Sequence, residues 1–104
     1  MTLGAVIVPD EQLAEFCERW RIIRLELFGS ARRADFSSDS DLDLLVTFHE
    51  DAPWTLLDMV EMQEDLETMT GRKVDLVSRK AVEHDANWIR RDEILSSADT
   101  VYVA

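Results

Sequence analysis

Two dense apolar runs, separated by a glycine turn and a polar stretch, constrain this chain more than any other feature. Leu25-Glu26-Leu27-Phe28 ends at Gly29-Ser30, and Asp41-Leu42-Asp43 opens the second run, Leu42 to Val46. Short apolar runs bounded by turn residues fit strands. The second run is apolar enough to be covered on both faces, which calls for a sheet with helices packed against it. Strand residues at i and i+2 point the same way. Asp41 and Asp43 therefore project from one face, beside a turn with free backbone N–H groups. Carboxylates can hold Mg²⁺, and a glycine turn lets the backbone approach a phosphate. One segment thus offers both halves of a metal–nucleotide site.

The rest of the chain has room for one small domain, residues 1–104, around a modest core. A hydrophobic content of 46% with three Trp argues for a folded globule. Twenty-two acids against eleven bases give a net charge of −11, which disfavours direct binding of DNA or RNA and suits a basic partner or a bound cation. For most of these acids, solubility is the simpler reading. Cys17 is the only cysteine, so no intramolecular disulfide can form, as fits a reducing cytoplasm. Leu3 to Val8 is apolar but lacks a basic flank and is too short to span a membrane. The expectation is a cytoplasmic chain with no membrane anchor.

Pro9-Asp10-Glu11 marks a helix start. Leu13, Phe16, Cys17 and Trp20 follow at one-face spacing, which makes Cys17 a small core residue rather than a nucleophile. Ile22 to Phe28 is expected as a strand, 30–36 as a turn or short helix, 37–40 as a polar loop, and Leu42 to Phe48 as a second strand. Trp54 to Thr70 fits a helix with Leu56, Met59, Val60, Gln63, Leu66 and Met69 along one stripe, ended by Gly71. Lys73 to Ser78 fits a third strand. Asp85 is placed to cap a last helix carrying Trp88, Ile89 and Leu95, and Thr100 to Val103 a closing strand. Alternating helices and strands give an α/β or α+β class with a central sheet.

Asp75 is the third piece of the site. It interrupts an otherwise apolar strand, Val74-Asp75-Leu76-Val77, where a buried lone carboxylate would be costly without a cation or hydrogen bonds. Asp41, Asp43 and Asp75 on neighbouring strands can converge on one or two Mg²⁺ ions, a set suited to in-line displacement at phosphorus. Asp41 and Asp43 would hold metal. Asp75 would share it and help deprotonate an acceptor hydroxyl. Gly29 and Ser30 would grip a triphosphate through N–H groups and the Ser30 hydroxyl, with Arg32, Arg33 and Lys73 as nearby cations. His49 and His84 have no partner motif and are expected in solvent. Tyr102, the only tyrosine, is expected to pack.

These residues carry a resemblance. A Gly-Ser pair, ten residues, an Asp-x-Asp and a later strand carboxylate are similar to the motif of the DNA polymerase β-like nucleotidyltransferases, and within them of the minimal nucleotidyltransferase antitoxins that pair with HEPN-domain toxins. The chain departs in one place, with Ala34 after Arg33 where a glycine often stands. The resemblance implies a small mixed sheet flanked by helices, with catalytic and metal residues Asp41, Asp43 and Asp75, and Gly29, Ser30 and Arg33 on the phosphates. It also implies ATP as substrate with two Mg²⁺ ions, and transfer of AMP to a tyrosine of a HEPN RNase toxin in a hetero-oligomer. Two other readings stand beside it. One is a non-catalytic antitoxin that covers the toxin. The other is a small-molecule nucleotidyltransferase, disfavoured because only about 26 residues follow the third strand.

Overall fold

In this computed structural model the described residues are 2–3, 6–29 and 42–104. A four-stranded mixed sheet forms the middle layer, in the order β5(Val74–Ser78), β4(Leu42–Phe48), β3(Ile22–Phe28), β6(Asp99–Val103). β4 and β5 run parallel, while β3 is antiparallel to both β4 and β6. A separate two-stranded ladder, β1(Thr2–Leu3) with β2(Val6–Ile7), occupies the apolar start of the chain.

Period-two alternation sends β4 in two directions. Leu42, Leu44 and Val46 face the main core with Leu25, Leu27, Val74 and Leu76. That face is covered by α1(Asp10–Arg19) and α2(Leu56–Thr70), which contribute Leu13, Phe16, Cys17, Met62 and Leu66. The other face carries Phe28 and Leu45, covered by Val82 of α3(Arg79–Glu83) and by Ile94 and Leu95 of α4(Trp88–Ser97). The expected both-face burial of β4 and the one-face spacing of α1 hold, and Cys17 is fully buried. Burial pushes its thiol up to about 12.

Aromatic contacts fix α2 against α1. The Trp54 indole donates to Trp20 O at 2.6 Å, and the two rings meet edge-on at 5.2 Å. The Trp20 indole donates to Asp65 on α2 at 3.3 Å. α2 then runs back along the outer edge of β5. Its Glu67 and Gln63 side chains accept from the backbone N–H groups of Val74 and Leu76 at 3.0 and 2.9 Å. These two groups face away from β4, so α2 occupies donors that an open sheet edge would offer to another chain.

Three expectations need correction. α2 begins at Leu56 rather than Trp54, because a capping box closes at Thr55 and Asp58. Its buried stripe is Met59, Met62, Leu66 and Met69, while Leu56 and Val60 are exposed. At 3.6 residues per turn, a face centred on Met62 carries Val60 round to solvent. Asn87, not Asp85, caps α4, since its side chain accepts from Arg90 N, and Asp85 instead accepts from Asn87 N. α3 and the first ladder were not anticipated, as both are too short to show a period.

Candidate active site

The Gly-Ser motif begins where β3 ends. Gly29 has φ +75°, a left-handed conformation that glycine adopts without steric cost. Space demands glycine there as well. A Cβ built at this position would run into Asp43 Oδ2 and lie 3.2 Å from Asp43 Cγ. Phe28 pairs with Asp43 across the antiparallel β3–β4 ladder, so the glycine turn lies directly against the carboxylate. The bare Cα is what lets Asp43 occupy that place.

Asp43 and Asp75 are register partners in the parallel β4–β5 ladder. Partners on adjacent strands point to the same face, about 4.8 Å apart at the backbone. Asp43 is half-buried between β3 and β5, and Asp75 is exposed. The expectation of a buried Asp75 is thereby overturned. β5 lies at one edge of the sheet, and among the described residues α3 and α4 cover this face over Phe28, beside Asp43, and over Leu45 and Val77, one step further along. Like charges side by side on neighbouring strands repel, and a divalent cation between them would offset that. Both are hard oxygen donors of the kind Mg²⁺ takes, and one is open to solvent for the waters that Mg²⁺ retains.

Asp41, Ser30, Arg32 and Arg33 lie outside the described residues. Leu42, next to Asp41, is held by its N–H donating to Lys73 O at 2.9 Å, which locks the start of β4 to the start of β5. Among the described residues no group of three His, Cys, Asp or Glu side chains converges on a metal position. Of the sequence-derived set, the structure therefore brings together Gly29, Asp43 and Asp75. His49 and His84 are exposed, as expected. Tyr102 packs against the main core. Its hydroxyl pKa is raised, first by burial and then by Cys17 and Glu18. A concavity of about 570 Å³ between α1 and α2 is lined by Glu15, Phe16, Arg19, Asp65 and Met69 and holds none of the site carboxylates.

Sequence reasoning missed one charged group beneath this face. Glu26 is 2% exposed, the only buried charged residue among those described. Arg79 donates to both its oxygens through Nη1, at 2.6 and 2.8 Å, and Arg24 Nε lies 3.6 Å away. Glu26 stands on β3 three residues before Gly29, and Arg79 follows β5 four residues after Asp75. The pair reaches across β4 and ties together the strands that carry the candidate site. A lone glutamate between two leucines was its only sequence signal.

A nucleotidyltransferase domain model matches residues 9–98. The protein adenylyltransferase MntA of Thermococcus cleftensis is 40% identical over 65% of this chain and 67% of its own length. The solved structure of a minimal nucleotidyltransferase superposes with a TM-score of 0.65 at 37% identity, over 86% of this chain and 85% of that one. A toxin–antitoxin crystal structure with AMP-PNP shares the fold at 18% identity and a TM-score of 0.60, over 90% of this chain and 73% of that one. No helix among the described residues is long and apolar enough to cross a membrane. With a mixed sheet between helices, two register-paired carboxylates and a glycine turn against one of them, the chain belongs to the nucleotidyltransferase domain family.

Proposed function

We propose that this chain transfers AMP from ATP to a tyrosine hydroxyl on a HEPN-domain toxin and neutralises it, acting in the cytoplasm as a hetero-oligomer with that toxin. The observation that carries the reading is the Gly29–Asp43–Asp75 constellation in a chain similar to MntA. Asp41, Asp43 and Asp75 are the residues that would hold Mg²⁺, as two ions. When bound, Mg²⁺ neutralises phosphate charge and stabilises the attacking and leaving oxygens. The Gly29 and Ser30 N–H groups and Arg33 orient the triphosphate. The acceptor oxygen attacks the α-phosphorus, the bond to the bridging oxygen breaks, and pyrophosphate leaves. Asp75, exposed at the sheet edge, takes the acceptor's proton.

The test is incubation with Mg-ATP and the toxin, read by intact mass. Wild type adds AMP, and Asp41→Asn, Asp43→Asn and Asp75→Asn each abolish the increment. Unchanged modification in all three sinks the reading. The net charge of −11 favours a second component, stoichiometric binding to a basic toxin. If the Asp43→Asn chain still neutralises the toxin in cells, binding alone suffices.

A further inference from the structure

The first turns of α2 expose an apolar patch for which the fold has no use. Leu56 is 85% exposed, Leu57 81% and Val60 49%. Large side chains this open, and adjacent, mark a contact surface. They are not the frayed end of a helix. The Thr55 side chain accepts from Asp58 N, Asp58 accepts from Thr55 N at 2.8 Å, and the preceding Trp54 is anchored on Trp20. The patch is held in place before anything binds, which lowers the entropic cost of binding.

Charge around the patch selects the occupant. Leu57, Val60, Glu61 and Glu64 follow at i, i+3, i+4 and i+7, so they share the outward face of α2. Glu61 and Glu64 are exposed. α2 carries five acids and no Lys or Arg, and no base occurs between His49 and Arg72. A second copy of this chain on the same patch would set these acids against their own equivalents, because two-fold pairing brings like surfaces together. Repulsion of that kind disfavours a partner. An occupant must therefore bring apolar anchors flanked by Lys or Arg.

The position also fits. Glu67 of α2 lies level with Val74, next to Asp75, through its hydrogen bond. Leu57 and Val60 precede Glu67 by ten and seven residues, or roughly 10–15 Å of helix. α2 packs on the opposite face of the sheet from Asp75, so a protein seated on the patch reaches the carboxylates by passing round the β5 edge.

We infer that the N-terminal half of α2 is the docking face for the acceptor protein, taking a basic amphipathic segment of it onto Leu56, Leu57 and Val60, with Glu61 and Glu64 pairing its cations. This rests on the reading above, in which the acceptor is a HEPN-domain toxin. The experiment measures Kd between the purified chain and that toxin without nucleotide, and AMP transfer separately. Leu57→Glu/Val60→Glu is expected to weaken binding at least about 100-fold, and Glu61→Lys/Glu64→Lys to slow association about tenfold with a reduced salt dependence. Trp88→Ser/Ile89→Ser, at a second exposed apolar pair among the described residues, leaves Kd unchanged. Unaltered binding by Leu57→Glu/Val60→Glu overturns the proposal. So does sedimentation showing that the patch holds a dimer of this chain instead. Wild type that binds through the patch but transfers no AMP defeats the enzymatic reading and leaves the docking face standing.

Discussion

Gly29→Ala and Gly71→Ala make a matched pair that isolates the contribution of Gly29 to the site. Both glycines lie in the left-handed region, at φ +75° and +69°. An alanine there costs about 1–2 kcal/mol. In a domain of this size about 1 kcal/mol shifts Tm by roughly 4–8 °C, so Gly71→Ala should melt lower by about that much and Gly29→Ala by at least as much. They differ in what the new methyl meets. At Gly71, the C-cap of α2, nothing lies within 4 Å. At Gly29 the methyl overlaps the Asp43 carboxylate, with Cγ at 3.2 Å and Cβ at 3.4 Å. Either the carboxylate swings aside or the end of β3 shifts, by on the order of 1 Å, and a displacement of that size costs about 100-fold in rate. The expectation is about 100-fold slower AMP transfer and a raised Mg²⁺ requirement for Gly29→Ala, against wild-type values per folded molecule for Gly71→Ala. Calorimetry gives Tm, and intact-mass time courses across a Mg²⁺ titration give the rate. If Gly29→Ala transfers as fast as wild type, or Gly71→Ala loses as much, the glycine is not there to seat Asp43.

Glu26→Ala leaves the quarter-exposed Arg79 guanidinium to the more distant Glu83 at 3.8 Å and should cost about 1–3 kcal/mol in urea unfolding, whereas Glu26→Leu/Arg79→Leu should recover most of it. Cys17, fully buried, should resist alkylation at pH 8 until urea unfolds the chain. Its thiol pKa is raised in the fold from 9.0 to about 12, so the stability it contributes is complete below pH 9 and lost as pH climbs toward 12. The slope is up to about 1.4 kcal/mol per pH unit, and Cys17→Ala should flatten it. Thr55→Ala removes the capping box and should lower stability by about 1 kcal/mol, read as a lower urea midpoint.

The strands of the central sheet were legible because pattern is backed by bounding chemistry. β3 runs from Ile22 to Phe28 because Gly29 stops it, and β4 starts at Leu42 because its apolar run does. α1 was legible from four apolar residues on one face. α2 was harder, since eight of its fifteen residues are apolar or Gln and several faces compete. Only the packed core singles out Met62 and Leu66 over Leu56 and Val60. Of the candidate site, Gly29 and Asp43 could be singled out from their spacing to nearby turn and strand, and Asp75 from its interruption of an apolar run. Glu26 could not, because what makes it notable is Arg79, 53 residues away. Burial was the property least legible from local pattern, as Asp75 illustrates.

The exposure of Asp75 bears on what the acceptor is. A carboxylate sealed in the sheet would act on something small enough to enter a closed pocket. Asp75 instead stands in solvent on an edge strand, with Asp43 half-buried beside it and the covering helices displaced toward Leu45 and Val77. A hydroxyl carried on a protein surface can approach such an edge without the chain opening, and the apolar patch on α2 would hold that surface in place. A small molecule gains nothing from the patch and must bind through its own few contacts. Binding energy from parts of a substrate remote from the reacting atom can be spent on the transition state, and truncated substrates lose that share. The expected outcome is that tyrosine amide, or a short peptide around the acceptor, is modified at least about 1,000-fold less efficiently than the intact toxin. Leu57→Glu/Val60→Glu should lower the rate on the toxin and leave the rate on the peptide alone. Equal efficiency on peptide and toxin would mean that the carboxylate edge recognises its acceptor unaided.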